Sequence, residues 1–502
     1  MITAAILIIL LLFVIYKLPF FKNDFFANEK INAINLVFLL KVSCGFALYW
    51  VYTRYYPDRK SADIFKYYDD AKIMFSAFEK HNYSDYLKMV FGFSNDSQYF
   101  DETYYRQMNH WYRQYDFGTY NDNHTMIRFN AIVMLFAFGS FHVHTVLMCF
   151  ISLAGLMALY NTFVDYLPSK KKILFLVIFL TPSVLFWGSG VLKEGILLFA
   201  LGFLFYSFFN VFIHKKKLLV NIFMLCLSVF LLLINKTYWL IAAGPAMACF
   251  LLVDKFKIPK PFLTYLGLYV FVFFGSIFIS SVCCDNNVLN TLSLKHRDFI
   301  AVSKGGVFLQ NGKEFARVSP DKKIFLDTLS ENTFKIKQGS SYMYWKNENL
   351  NDTIFVNNST DTSVYKLVWD LPLAGSTIDM EQLQPSYSSL FKTAPSALYN
   401  SLCKPGFTTA KSFFERFSAI ENAMILLFLI ICTGWCRTGM NKNLFSLCFF
   451  LSITILFLIG YTTPVAGAIV RYKVPVMPFI LLCGIIIFDS NKIKIFSDKH
   501  KP

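Results

Sequence analysis

The stretch that decides the fold is Leu180–Phe199, LTPSVLFWGSGVLKEGILLF. An apolar run reaches Trp187 and breaks at Gly188-Ser189-Gly190. A second apolar run leaves from Ile196, with Lys193 and Glu194 between the two. A charged side chain at mid-depth of a hydrocarbon layer costs roughly 2.5–3.5 kcal/mol on insertion scales, so this pair belongs near a membrane surface or a wet cavity. The flanks choose the surface. Lys170, Lys171 and Lys172 precede the two runs, and Lys215, Lys216 and Lys217 follow them. Short Lys-rich loops stay cytoplasmic, which turns the GSGVLKE corner to the outside.

The rest of the chain carries the same signature. Of its 502 residues 55% are hydrophobic and 18% aromatic, and mean hydropathy is +0.46, values that belong to a polytopic membrane protein. The net charge of +16 raises the question of nucleic acid. The excess sits in short Lys clusters between apolar runs, however, and the long polar segment 283–418 is nearly balanced, so no nucleic-acid partner is expected. The 11 Cys form no CxxC pair and no Cys/His ligand spacing, which argues against zinc. Cys283, Cys284 and Cys403 fall in the polar segment, where a disulfide is compatible but not implied. The opening MITAAILIILLLFVIY has neither a basic n-region nor a small-residue cleavage site and reads as a span.

In chain order, spans are expected at about 3–16, 31–51 (with Lys41 near its middle), 144–166, 173–187, 191–213, 218–234, 237–253, 261–282, 420–435, 443–460 and 473–488, about eleven in all. Met126–Phe138 is placed as a helix lying at the external interface, because a full span there would put the next Lys cluster outside. The segment 283–418 has period-2 patterns such as GGVFLQ and DTIFVNN and reads as a β-rich external insertion. The organisation is then 1–52 for two spans, 53–142 for an external loop with interfacial helices and 143–282 for transmembrane helices. The insertion occupies 283–418, and 419–502 holds the last spans and a cytoplasmic tail.

On this topology few charges lie near external span ends. Asp63 follows the second span in SADIFKYYDDAK, with Asp69 and Asp70 one to two turns on. Lys193 and Glu194 open a span, Lys236 stands in the turn INKTYW, and Arg471 lies in IVRYKVPVMP ahead of the last span. Cations can hold a phosphate and stabilise a leaving group while a carboxylate takes the proton of an incoming hydroxyl, so the set suits transfer from a phosphorylated donor. Each residue also has a plainer reading. Asp63 suits a helix cap and Lys236 an interfacial anchor beside Tyr238 and Trp239.

Four stretches resemble those of polytopic glycosyltransferases of the GT-C fold, which take sugars from polyprenyl-phosphate carriers. SADIFKYYDDAK is similar to the acidic first external loop, and NAIVMLFAFGSFHVHTVLMCFISLAGLMALY to the membrane-surface helix, turn and next span. LFWGSGVLKEGILLF and VRYKVPVMPFILL resemble the second acidic position and the Arg-Tyr-x-x-Pro ending. The resemblance implies an all-α polytopic membrane protein acting on the external face of the cytoplasmic membrane. The small β-rich external insertion at 283–418 departs from it, since many members carry theirs at the C-terminus, and the Lys-, Asn-, Phe- and Ile-rich composition points to a bacterial source. The resemblance implies Asp63 as catalytic base, Glu194 as second acid, and Lys193 and Arg471 as phosphate contacts. The placing of charges at external span ends adds Lys236 to the phosphate contacts and has Glu194 orient the acceptor or a metal ion. Ser-Ala stands where glycines are expected before Asp63, which keeps Asp69 and Asp70 as substitutes. The implied partners are a polyprenyl-phosphate-linked sugar donor, a glycan, lipid or protein acceptor, and membrane lipid, with no cofactor beyond a divalent cation. The alternatives are a polysaccharide polymerase or ligase using a diphosphate-linked donor, and a transporter or flippase for lipid-linked glycans.

Overall fold

The computed structural model describes residues 2–22, 30–55, 59, 62–112, 120–283, 288–311, 314–319, 326–330, 333–346, 354–356, 360, 363–436 and 439–489. The chain opens with α1 (Ile2–Lys17) and α2 (Lys30–Tyr55), then α3 (Asp63–Glu79), α4 (Tyr83–Phe91) and α5 (Gln98–Thr103) in the first polar segment. There follow α6 (Asp122–Ala137), α7 (Phe141–Val164), α8 (Lys171–Phe179), α9 (Pro182–Trp187), α10 (Lys193–Phe209), α11 (Leu218–Asn235), α12 (Tyr238–Phe256) and α13 (Pro261–Cys283). After α14 (Val288–Ser303) come β1 (Gly306–Asn311), β2 (Glu314–Val318), β3 (Leu326–Ser330), β4 (Thr333–Ile336), β5 (Tyr342–Lys346), β6 (Ile354–Val356) and β7 (Val364–Leu371). The chain closes with α15 (Tyr387–Cys403), α16 (Phe413–Gly434), α17 (Lys442–Thr462), α18 (Ala466–Lys473) and α19 (Met477–Ile487).

Among the described residues, 8 helices are long and apolar enough to cross a membrane: Ile31–Arg54, Phe141–Val164, Lys193–His214, Leu218–Asn235, Tyr238–Phe256, Phe413–Gly434, Lys442–Thr462 and Ala466–Ile487. The protein is therefore a multi-pass membrane protein by its helices. Ile2–Lys17 and Pro261–Ser276 are apolar but shorter. The span expected at 173–187 is two helices instead. Pro182 has no N–H to give the preceding turn and pushes Thr181 out of helical geometry (ψ 122°), so α8 stops at Phe179 and α9 restarts with Pro182 in its first turn. The last span is longer than expected, because α18, a 3-10 turn at Val474–Val476 and α19 run on as one unit. Arg471 thus lies inside a helix rather than ahead of one. The sequence also placed a helix at Met126–Phe138; α6 begins earlier, with Asn121 as its cap, and turns at Phe138, whose φ is 49°.

α7 and α10 form the centre, and they meet through glycine. A Cβ on Gly202 would lie 1.9 Å from the carbonyl oxygen of Gly155, so no larger residue fits without separating the helices. In a membrane, where burying apolar surface against lipid gains little, such close backbone approach is what holds helices together. Between α14 and α15, the described residues of the insertion form a seven-stranded sheet in the order β3-β4-β7-β1-β2-β5-β6, with every described neighbouring pair antiparallel. Its own small core includes Val307, Leu309, Val318 and Tyr365. Cys403 is a free thiol; Cys284 and the side chain of Cys283 lie outside the described residues.

Candidate functional site

Three helix starts converge. Asp63 is the first residue of α3, Asp122 the first of α6, and Lys193 and Glu194 open α10. A carboxylate in a first turn is favoured by the unsatisfied N–H groups and the helix dipole there. Asp63 is not the cap of its helix, a position held by Ala62. The end of α18 and the α11–α12 turn bring Arg471 and Lys236 to the same place.

The corner before α10 is held from behind. Lys41, fully buried on α2, donates to the Gly188 carbonyl (3.2 Å), which also accepts from Ser152 of α7 (2.6 Å). α2 approaches so closely that a Cβ on Gly45 would sit 2.6 Å from the Ser189 carbonyl oxygen. These contacts tie the end of α9 to α2 and α7 and so fix where Lys193 and Glu194 emerge.

The charges divide into two halves. In one, Lys193 (2.8 Å) and Lys236 (2.7 Å) both rest on Asp122 Oδ2, and Lys193 also donates to Asn123 Oδ1 (2.7 Å). Two ammonium groups thus share one carboxylate, and this half is formally positive by one charge. In the other, Arg471 donates to Asp63 Oδ2 from Nη1 (2.8 Å) and to Glu194 Oε1 from Nε (3.3 Å). One guanidinium serves two carboxylates, and this half is formally negative by one charge. His110 Nε2 lies 3.5 Å from Asp63 Oδ1. Tyr67 stands between the halves, its hydroxyl donating to Asn123 Oδ1 (3.3 Å).

Each cation also faces an aromatic ring: Lys193 over Tyr67 (5.6 Å), Lys236 over Tyr472 (5.6 Å) and Arg471 over Trp187 (5.7 Å). Such faces attract cations without neutralising them. Burial alone would push the Asp63 carboxyl up, but the His110 imidazole and the Arg471 guanidinium hold it well below the usual carboxylate range. Burial likewise opposes ionisation of Asp122, and Lys193 and Lys236 outweigh it, so that carboxyl too is held well below the usual range. Lys236 is shifted upward, the charge of Asp122 overcoming the effect of burial. Glu194 is 3% exposed, and its Oε2 has no hydrogen-bond partner among the described residues.

Of the residues singled out in the sequence, Asp63, Lys193, Glu194, Lys236 and Arg471 meet in one cluster, which the partly exposed side chains of Asp63, Lys236 and His110 leave open to solvent as the mouth of the site, whereas Asp69 and Asp70 do not join them. Asp69 takes both bonds of an exposed Arg59 fork (2.7 and 2.8 Å). Asp70 is fully buried and accepts from the backbone N–H groups of Asn109 (2.8 Å) and His110 (2.7 Å). Sequence reasoning missed Asp122, Asn123, His110 and Tyr67. The first two carried one usable signal, an acid following Asn121 at the start of an apolar helix; His110 carried none. Among the described residues no group of three or more His, Cys, Asp or Glu side chains is placed to hold a metal ion. Compared with protein families, with curated proteins and with solved structures, the chain matches none.

The arrangement offers an anion two ammonium groups with an amide beside them. On the other side of Tyr67 it offers a hydroxyl two carboxylates and an imidazole. That pairing of sites suits group transfer from a phosphorylated donor to an alcohol.

Proposed function

We propose that this chain is a membrane glycosyltransferase of the GT-C type that moves a hexosyl or pentosyl unit from a polyprenyl-phosphate donor to a hydroxyl of a glycan, lipid or protein. The observation that carries the reading is the division of the mouth into a positive half at Lys193 and Lys236 and a negative half at Asp63 and Glu194. The donor phosphate binds the lysine pair and Asn123, and the charge that develops on the leaving phosphate is met there. The acceptor hydroxyl enters the acidic half, and its proton leaves on that side. Arg471 differs from its assignment as a phosphate contact: it is committed to Asp63 and Glu194 and organises the acidic half. Glu194, with one oxygen unpartnered, receives a hydrogen-bond donor of the acceptor.

In this reading α1, the broken α8–α9 unit and α13 join the eight long helices as crossings, about eleven in all. The mouth faces the outside of a bacterial cytoplasmic membrane. In support, Lys193–His214 spans 22 residues, about 33 Å of helix, from the mouth to the cluster Lys215–Lys217 at its far end.

The test is release of polyprenyl phosphate by the protein in proteoliposomes, supplied in turn with polyprenyl-phosphate-linked hexoses and pentoses and a crude envelope glycan fraction. Release that requires the acceptor fraction, with the KM for donor raised at least roughly tenfold by Lys193→Ala or Lys236→Ala, is expected from the loss of one charge-assisted bond. Absence of release from every donor, or movement of a lipid-linked glycan across the bilayer without transfer, overturns the assignment.

A further inference from the structure

Three residues on one face of α3 meet a single residue of another segment, His110. Asp63, Tyr67 and Asp70 stand at i, i+4 and i+7, the spacing that lines up side chains on one side of a helix, and all three touch His110. Asp63 Oδ1 lies 3.5 Å from His110 Nε2. The Tyr67 ring lies 5.5 Å from the imidazole, centroid to centroid, tilted by 42°. The buried carboxylate of Asp70 accepts the backbone N–H of His110 and of its neighbour Asn109. The loop that carries His110 is fixed from its other side as well, where Trp111 stacks on His124 (3.7 Å) and on Tyr105 (4.0 Å), and its carbonyl accepts from Asn121 Nδ2 (2.8 Å). A buried carboxylate spent on two backbone groups, an aromatic wall and a stacked tryptophan hold one partly exposed imidazole at the rim of the acidic half.

Asp63 itself is poorly free to act as the base. Its Oδ2 is engaged by Arg471 at 2.8 Å, and the same contacts keep it ionised and weakly basic.

We propose that His110 is the catalytic proton acceptor of this site and that Asp63 is its positioning partner. The inference rests on the glycosyl-transfer reading above. Asp63 holds the Nε2–H tautomer of His110, leaving the lone pair on Nδ1. The acceptor O–H gives its proton to Nδ1 as its oxygen forms a bond to the anomeric carbon. The bond from that carbon to the phosphate oxygen breaks, and its electron pair leaves on the phosphate beside Lys193 and Lys236. The imidazolium formed is balanced by Asp63, as in any acid–imidazole pair acting as a general base.

The experiment measures sugar transfer by the wild-type chain and by His110→Gln, His110→Ala and Asp70→Asn in the same proteoliposomes, with folding checked by thermal unfolding. His110→Gln should lower kcat by roughly 10²–10⁴ with the donor KM little changed. Added imidazole should restore at least part of the rate of His110→Ala and none of the rate of Asp70→Asn, in which the loop rather than the base is disturbed. A His110→Gln protein within threefold of wild type, or a His110→Ala protein that folds normally and ignores imidazole, overturns the inference and leaves Asp63 as the base. A wild-type chain that transfers no sugar from any donor overturns the functional reading itself, and this inference with it.

Discussion

Arg471 reaches Asp63 at 2.8 Å across 408 residues of sequence, and the same guanidinium touches Glu194 at 3.3 Å. The three side chains come from α18, α3 and α10, so one planar fork locks the first polar segment, the central helix pair and the C-terminal helices to each other. A guanidinium, with its fixed set of donors, suits two carboxylates at once where an ammonium would serve as a point charge.

Removal of the guanidinium should therefore cost stability as well as activity. Arg471→Met leaves Glu194, 4% exposed at its side chain, without its cation, and Asp63, 32% exposed, partly screened by water. Breaking a buried pair costs roughly 3–5 kcal/mol, and the exposure of Asp63 brings the expectation to about 2–3 kcal/mol. Thermal unfolding in detergent measures it. Arg471→Met combined with Glu194→Gln should recover part of the loss, and additive effects of the two changes would mean that they do not interact.

The lysine pair makes a different prediction. Asp122→Asn removes the carboxylate that Lys193 and Lys236 share and leaves two facing cations. The variant should be less stable than wild type in phosphate-free buffer and should gain more unfolding temperature from added inorganic phosphate than wild type does, because the anion replaces the lost charge. Equal responses of the two proteins to phosphate would show that the lysines do not form an anion site.

The dependence of stability on pH has two limbs. The carboxyls of Asp63 and Asp122 are depressed, so each contributes stability present above its unfolded value of about 3.9 and lost as pH falls through the folded value. Lys236 is raised, so its contribution is complete below about 10.4 and lost as pH rises through the folded value. Unfolding temperature should then show no loss from these groups between about pH 5 and pH 9, with an acid limb below about pH 4. That limb should shrink in Asp122→Asn.

Gly202 sets the distance between α7 and α10. Gly202→Val places a branched side chain where a Cβ alone would meet the Gly155 carbonyl at 1.9 Å. Overpacking of this kind costs roughly 1–3 kcal/mol when neighbours can yield, and more where backbone faces backbone. Size-exclusion profiles and unfolding temperature should both deteriorate, whereas Gly244→Ala on α12, with nothing within 4 Å of its added Cβ, should be tolerated.

Orientation is testable by labelling. A cysteine replacing Lys80, in the turn between α3 and α4, should react with an impermeant maleimide added to intact cells, beyond the background of the unsubstituted protein. One replacing Lys216, at the far end of α10, should react only after permeabilisation. The reverse pattern would place the mouth in the cytoplasm.

What could be read from the sequence was what near neighbours decide. Long apolar runs mark helices, and the Gly188-Ser189-Gly190 break marks a corner, because hydrophobicity and helix interruption act over a few residues. Lys193, Glu194 and Lys236 were legible for the same reason, as charges at the ends of apolar helices, whereas Asp63 was legible as an acid in the polar segment after the second span and Arg471 as a cation ahead of the expected start of the last. Even so, Pro182 divides an expected span, and the run through Pro475 and Pro478 continues one, since a proline either breaks a helix or sits in its first turn according to what packs around it.

Tertiary structure alone decided the partners. Nothing in a linear chain says that two lysines will share Asp122, that Arg471 will choose Asp63 and Glu194 over a headgroup, or that Asp70 will hold the loop of His110. Those outcomes depend on where helix ends meet. That in turn is set by contacts such as Gly155 against Gly202 and Lys41 on the Gly188 carbonyl, which join residues far apart in sequence through packing at atomic distance. Periodicity is a property of a segment, whereas a choice among several possible counter-ions is a property of the assembled helices, where a few ångströms determine which charge is closest.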